Sequence, residues 1–500
     1  MLTMKPYALG IDCGNTGIKV ALFDLQGQEI GALGDKVSSD FPEPGFVQCN
    51  MTRLWQQCAS LIQQLLEKLE VNAEQVIAVG CSGHGNGLYL LDNHHQPLLA
   101  IKSLDCRAND LVQTLKQQLN YEAIHEMNRQ GIWPAQSATL LCWLKQYKPS
   151  VYHKIGQVLF CKDYLNFCLT GEVATEYGDL SASGLYDFSA GDVSGTLLAE
   201  LGISEMKQAI PTMYQSQEIM GKVSPDAARL TGLLAGTPVV SGCFDIVACA
   251  LGSGVWHSQS ASVIAGSWSI NQVVSDSLPT RAVFMTCYFP EQRYLAVESS
   301  ATSASNLEWF ICEFFKEEKQ LAEKENCDFF EQLNILVSET KVVNTLPLFH
   351  PYLYGGCDNQ PVQGNFFGLT GWHKKSDLLY AVYEGIVFGH LEHMNQLRLS
   401  GQHIESAILS GGAAKSPVWS QMFADILNVT IQTSDCTEAG ARGVAMAAAT
   451  GAGYFSSLQM AVETMVKLNP PQVPDPKRQE IFQQRYQRYL DVSSALKKLA

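Results

Sequence analysis

The apolar positions of this chain change period several times, and the changes mark its elements. Near the start, YALGID and IKVALFDLQGQEI alternate as strands do about a turn at Gln26 and Gly27, which predicts a β-hairpin and its continuation. From Leu54 to Glu70 the spacing becomes helical, with Leu54, Cys58, Leu61, Ile62, Leu65, Leu66 and Leu69 on one stripe and Asn50 or Thr52 as the cap. A β-rich run, VIAVGCS, follows it. Strand and helix periods then alternate through both halves, which predicts an α/β chain whose mixed or parallel sheets are covered by helices. The second half restarts the pattern with VVSGCFD, the helix-like IVACALGSG and the hairpin-like VIAGSWSINQVV, a hint of two related domains. From Arg478 to Leu499, Ile481, Phe482, Tyr486 and Leu490 share one stripe and predict a closing helix whose role is packing.

Composition narrows the class. Five hundred residues exceed what one core usually organises, and 46% apolar with 17% charged residues is ordinary for a globular chain. A formal charge of -15 would repel nucleic acid and anionic membrane surfaces, so neither is expected as a partner. The start MLTMKPYALGID lacks the apolar core of a signal peptide, which predicts a cytoplasmic protein. The apolar tract from Gly236 to Gly254 is interrupted by Pro238, glycines and Asp245, and reads as buried core instead of a bilayer span. Fifteen cysteines without a C-x-x-C pair predict reduced thiols, with neither a disulfide framework nor a zinc site.

Five segments carry candidate chemistry. In GIDCGNTGIKVALFD an acid ends a strand and a polar glycine turn follows. Gly14, Asn15, Thr16 and Lys19 can approach phosphate oxygens there, while Asp12 can hold Mg²⁺ or its water. No G-x-x-x-x-G-K-[ST] motif is present, so the cradle is not a P-loop. Gly266 and Ser267 interrupt the strand in VIAGSWSI and offer a second cradle. Gly411 and Gly412 in LSGGAAKSPVWS link a strand to a helix and would let a nucleoside lie flat on the backbone. Asp245, alone between two apolar runs, is the candidate general base, since phosphoryl transfer needs positioning, charge neutralisation and one base. The loop GCSGHGNGLYLLD presents His84, Gly85 and Asn86 to a small polar ligand, with Asp105, Arg107, Trp133, Lys162 and Asp163 as further pocket candidates. The small-residue run TEAGARGVAMAAATG is assigned to close helix packing.

Taken in order, from about Tyr7 to about Gly453, these segments resemble the FGGY carbohydrate kinases. GNFFGLTGWHKKSDLLYAVYE is similar to one of the family's signatures, through Gly368, Asp377, Ala381 and Glu384. The other signature is represented by SATLLCWLK, where Leu141 stands in place of the usual lysine. The resemblance implies two ribonuclease-H-like domains of the actin/hexokinase type around a central cleft. Residues 1–248 would form the sugar-binding domain and 249–500 the nucleotide-binding one. It further implies ATP and Mg²⁺, phosphate contacts from GIDCGNTGIK and AGSW, adenosine contacts from Gly411, Gly412, Ala413 and Lys415, and Asp245 as base. SGHGNG looks like the family's sugar loop, with His84 in place of a glutamine. Within the family GLYLLD, FDIVACALGSG and SNLEWF look most like the L-xylulose kinases, some of them linked to 3-keto-L-gulonate, so a ketose is the expected acceptor. Other polyol or sugar kinases, and an actin-fold ATPase or chaperone, are the alternatives. The expected partners are therefore a small sugar or polyol and ATP, and a homodimer is allowed.

Overall fold

The computed structural model describes residues 5–118, 120–355 and 362–499. Its first sheet grows from the predicted hairpin. β1 (Tyr7–Cys13) pairs antiparallel with β2 (Gly17–Asp24), and β2 with β3 (Glu29–Lys36). Helix α1 (Met51–Lys68) buries its apolar stripe, and Asn50, not Thr52, caps it by accepting from the Arg53 amide at 2.9 Å. β4 (Val76–Gly83) returns parallel to β1, and β5 (Ile219–Lys222) with β6 (Pro238–Val240) completes the order β5-β6-β4-β1-β2-β3. The predicted single strand VVSGCFD is two short ones, Pro238–Val240 and Cys243–Phe244. The break is at Gly242, whose φ of +80° and whose approach to Cys81, where a Cβ would lie 1.9 Å from the carbonyl oxygen, admit only glycine.

The second sheet repeats the plan. After α2 (Asp245–Ser253), β7 (Ser260–Ala265) and β8 (Ser269–Ser275) form an antiparallel hairpin. β9 (Met285–Phe289) and β10 (Arg293–Ser300) extend it past β8. Then come α3 (Ala304–Phe314) and the long α4 (Lys375–Leu399), before β11 (Ser406–Gly411) and β12 (Thr430–Thr433) add in parallel on the other side of β7. The order β10-β8-β7-β11-β12 has the same strand directions as β3-β2-β1-β4-β6, the ribonuclease-H arrangement built twice.

Two helices join the halves. α5 (Ala439–Gly451) is chemically part of the second half but lies on β1 and β4, so close that a Cβ at Gly10 would be 2.0 Å from the Ala441 carbonyl oxygen. α2 lies against the second sheet, where the Gln272 side chain donates to the Ile246 carbonyl at 2.9 Å. The expected boundary between 248 and 249 falls inside α2. The small residues of TEAGARGVAMAAATG are what allow this crossing.

The closing helix, α6 (Pro476–Leu499), packs Phe482 and Tyr489 into the core of the second half. At its centre is a charge that apolar periodicity does not flag: Arg485, buried, donates through Nε to Glu384 of α4 at 2.7 Å. No described helix is long and apolar enough to cross a membrane, and the tract from 236 to 254 is strand and α2. The described cysteines are free.

Candidate active site

β1 brings Asp12 to the end of the first sheet, opposite Lys19 on β2 and Ser82 on β4. The Ser82 hydroxyl donates to Asp12 Oδ1 at 2.6 Å. Burial raises the Asp12 carboxyl, and that bond together with the Lys19 charge partly offsets the rise. Gly440, where a Cβ would lie 2.3 Å from Asp12 Oδ2, keeps the second oxygen clear. Asp245 is the first residue of α2 and is half-buried. Desolvation, with the charge of Asp12 added to it, pushes its carboxyl up to about 7, while His84 and the Ile246 amide pull the other way. A carboxyl so placed is poised near neutral pH, as a general base should be.

The loop after β4 continues from this pair. The His84 amide donates to the Cys13 carbonyl at 2.9 Å, and its buried ring lies 3.1 Å from the Tyr89 hydroxyl and 3.4 Å from Ser103 Oγ. Asn15 donates to the same Ser103 Oγ at 2.8 Å, so the first glycine turn and the His84 loop share one hydroxyl. Gly85 is tightly packed, for a Cβ would lie 2.2 Å from the Phe244 ring. Asn86 adopts φ +58° and turns its amide inward, to the Ala182 carbonyl at 3.3 Å and the Ser137 amide at 3.3 Å.

Between the sheets lies a cavity of about 600 Å³, lined by Ser103, Asp105 and Trp133 from the first half and by Trp268, Ser299 and Ser300 from the second. Trp133 faces Phe284 across it with ring centres 6.1 Å apart. Asp105 lines the cavity but both its oxygens are engaged, by the Arg107 guanidinium at 2.8 Å each and by the Val47 amide at 2.6 Å. Arg107 in turn stacks on Phe46, 4.2 Å from the ring centre. Asp163 does not line the cavity. It sits in a buried cluster, bound to Lys162 at 2.5 Å, to Thr175 at 2.8 Å and to the Phe160 amide at 3.1 Å. Neighbouring acids keep the buried Lys162 charged against its desolvation.

The glycine turns differ in why they need glycine. At Gly14, Gly266 and Gly412 a Cβ would come no closer than 3.7 Å to any other atom, so packing does not explain the residue and the open backbone suits an approaching ligand. Gly411 is structural, with φ +85° and a Cβ position 2.5 Å from the Ala265 carbonyl oxygen. That approach sets the Gly411–Gly412 turn, continued by Ala413 and Lys415 in a short 3₁₀ turn, beside Gly266 and Ser267. Lys19 is beside Asp12, but its ammonium pairs with Glu438 at 2.7 Å. The Thr16 carbonyl accepts from the Val37 amide at 3.0 Å and pins the first turn to the chain beyond β3.

Behind the second hairpin is a neutral network that sequence reasoning missed. The His390 ring of α4 lies 2.9 Å from Asn271 Oδ1, 3.2 Å from Ser269 Oγ and, through Nε2, 3.0 Å from Ser303 Oγ. Burial pulls His390 down to about 3, so it is uncharged. Ser82, Ser103 and Glu438 were missed too; strand register and helix crossing bring them in, and no local spacing marks them. Leu141, at the usual lysine position, is fully buried in the helix Ser137–Tyr147.

Among the described residues no three His, Cys, Asp or Glu side chains converge as a metal site. The residues fit instead a Mg²⁺ that keeps phosphate and water ligands, for which one carboxylate, Asp12, is enough.

Comparison with known proteins identifies the family. The N-terminal domain of the FGGY family of carbohydrate kinases matches residues 7–252, and the family's C-terminal domain matches 261–452. The L-xylulose/3-keto-L-gulonate kinase of Escherichia coli is 33% identical over 99% of this chain and 98% of its own. A probable L-xylulose kinase of Pasteurella multocida is 33% identical over 98% of this chain and 99% of its own. The crystal structure of xylulose kinase from Rhodospirillum rubrum superposes with a TM-score of 0.88 at 24% identity, covering 99% of both chains. It shares the two-domain actin/hexokinase-like fold. The chain belongs to the FGGY family of carbohydrate kinases and is a phosphotransferase.

Proposed function

We propose that this enzyme transfers the γ-phosphoryl group of ATP to a primary hydroxyl of a ketose, L-xylulose or a close relative, with Asp245 as general base. The observation that carries the reading is the Asp12–Asp245 pair beside the His84 loop, with Asp245 held near neutrality. The open turns at Gly14 and Gly266 offer backbone N–H groups to phosphates, and Gly412 offers a flat surface to the nucleoside. Asp12 would hold Mg²⁺, which when bound neutralises phosphate charge. Asp245 takes the hydroxyl proton as the sugar oxygen bonds to the γ-phosphorus and ADP leaves. Trp133 and Phe284, whose rings approach from the two halves at the cavity, would help to exclude water were the halves to close on substrate.

An uncharged sugar is favoured over an acidic one. Among the described residues lining the cavity Lys116 is the one cation, against the two acids Asp105 and Asp110, and Arg107 is committed to Asp105. The names of the relatives, which include L-xylulose and 3-keto-L-gulonate, support the ketose class. A coupled assay of ADP release over L-xylulose, 3-keto-L-gulonate, D-xylulose, erythritol, glycerol and gluconate tests the reading. The expected result is the highest kcat/KM with L-xylulose. ATP turnover that no sugar stimulates would sink it.

A further inference from the structure

We propose that His390, outside the reacting centre, is a positioning residue that holds the 266–268 turn in the shape that receives the nucleotide's phosphates. The proposal rests on the reading that this turn is a phosphate cradle. The turn has two supports. One is its own strand β8, rooted at Ser269 and Asn271. The other is the start of α3, where the Ala304 amide donates to the Gly266 carbonyl at 2.8 Å and the Ser305 hydroxyl to the Ser267 carbonyl at 3.2 Å. Both supports meet on the His390 ring: Nδ1 faces β8 and Nε2 faces Ser303, the residue before α3.

The direction of each bond follows from the partners. The Asn271 amide nitrogen donates to Ser269 Oγ at 3.2 Å, which leaves its oxygen as acceptor towards His390. An oxygen that can only accept requires the proton on Nδ1, so in the neutral ring Nε2 accepts from the Ser303 hydroxyl. Ser303 therefore does not cap α3, which begins without a side-chain cap. One helical turn along α4, His393 Nε2 lies 2.9 Å from Ser300 Oγ and ties β10, the next strand, to the same helix.

Stability alone is a poor reason for this arrangement. A leucine would fill the volume without polar groups to satisfy, whereas a buried polar network costs unless every member is paired. What the network provides is a fixed distance between β8 and α3, which is the width of the turn between them. Ile264 and Ile270, the pair nearest the turn after Ala265 and Ser269, supply no charge to do this another way.

The test uses the full chain and three variants: His390→Phe, which keeps ring volume; His390→Asn, which keeps a donor at the Nδ1 position; and Ser303→Ala. ATP affinity by calorimetry without sugar, KM for ATP and for sugar, kcat and the urea midpoint are measured for each. His390→Phe is expected to weaken ATP by about tenfold with sugar KM within about twofold, because three buried partners, Asn271, Ser269 and Ser303, lose their bonds to the ring. His390→Asn should recover most of that loss, and Ser303→Ala should show a loss of a few fold. A folded His390→Phe with unchanged ATP affinity overturns the proposal. So does an equal loss for both substrates that His390→Asn does not restore. If His390→Phe fails to fold, unchanged ATP affinity in Ser303→Ala overturns it instead. Wild-type protein that binds no ATP is a different outcome, the failure of the kinase reading itself.

Discussion

The two hairpins that open the two sheets are the same structure with opposite chemistry. In the first, Asp12 sits across from Lys19 and beside Ser82; at the matching positions of the second, Ile264 sits across from Ile270 and beside Ser410. Even the serine and glycine that follow correspond, Ser82–Gly83 and Ser410–Gly411. One copy thus keeps an acid whose carboxyl is tuned by its neighbours, and the other keeps none and is braced by an uncharged histidine. The difference teaches where a phosphotransferase needs charge. On the proposed function, an acid beside phosphate-receiving backbone is useful where it organises a cation, as Asp12 would at the first turn, and at the second turn it would add only repulsion.

The comparison can be broken from either side. The largest effect is expected from Asp245→Asn, which should lower kcat by about 10² or more while ATP still binds, measured by coupled assay and calorimetry. In the wild type, activity should rise with pH through about 7 as Asp245 loses its proton, and the variant should lack that acid limb. Stability should run the other way. The folded pKa lies above the ordinary 3.8, so the stability this group contributes is fully present below that value and is lost as pH rises through about 7. Asp245→Asn should therefore melt above wild type at pH 8 and show a smaller advantage at pH 5.

Placing the first hairpin's acid in the second, Ile264→Asp, should weaken ATP by about one to two orders of magnitude through repulsion, with sugar affinity nearly unchanged. Removing the acid from the first, Asp12→Asn, should lower kcat by about tenfold and raise the Mg²⁺ concentration needed for half-activity. The smallest change is expected from Lys19→Met. Its pair with Glu438 is half exposed, and such pairs contribute at most about 1 kcal/mol, so KM for ATP should rise by no more than a few fold. A large effect there would mean that Lys19 leaves Glu438 to meet phosphate.

Much of this was legible in the residues. Period alone gives β1 to β4 and α1, and the glycine turns stand out because glycine interrupts strands that otherwise favour branched side chains. Asp245 is visible because an acid among apolar runs needs a reason. What sequence does not show is direction. Asn86 and Asp163 are polar residues at plausible places, yet both turn inward to fasten neighbouring segments. The bond between Ser82 and Asp12 depends on parallel register between strands seventy residues apart. The signature residues show the same thing. Asp377 accepts from the Lys374 amide at 2.8 Å to cap α4, and Glu384 holds Arg485, so both secure the helix that carries His390 and neither needs to touch substrate.

The placement of α5 also bears on how the chain is made. The glycine-studded face of β1 and β4, formed from residues before 84, is closed over by α5, whose Ala441 and Val444 carbonyls approach Gly10 and Gly80. On a ribosome α5 is made more than 350 residues after β4, and that face stays open to its surroundings in the meantime. During that interval a nascent N-terminal half presents apolar sheet to any passing chain, the circumstance in which holding chaperones matter most.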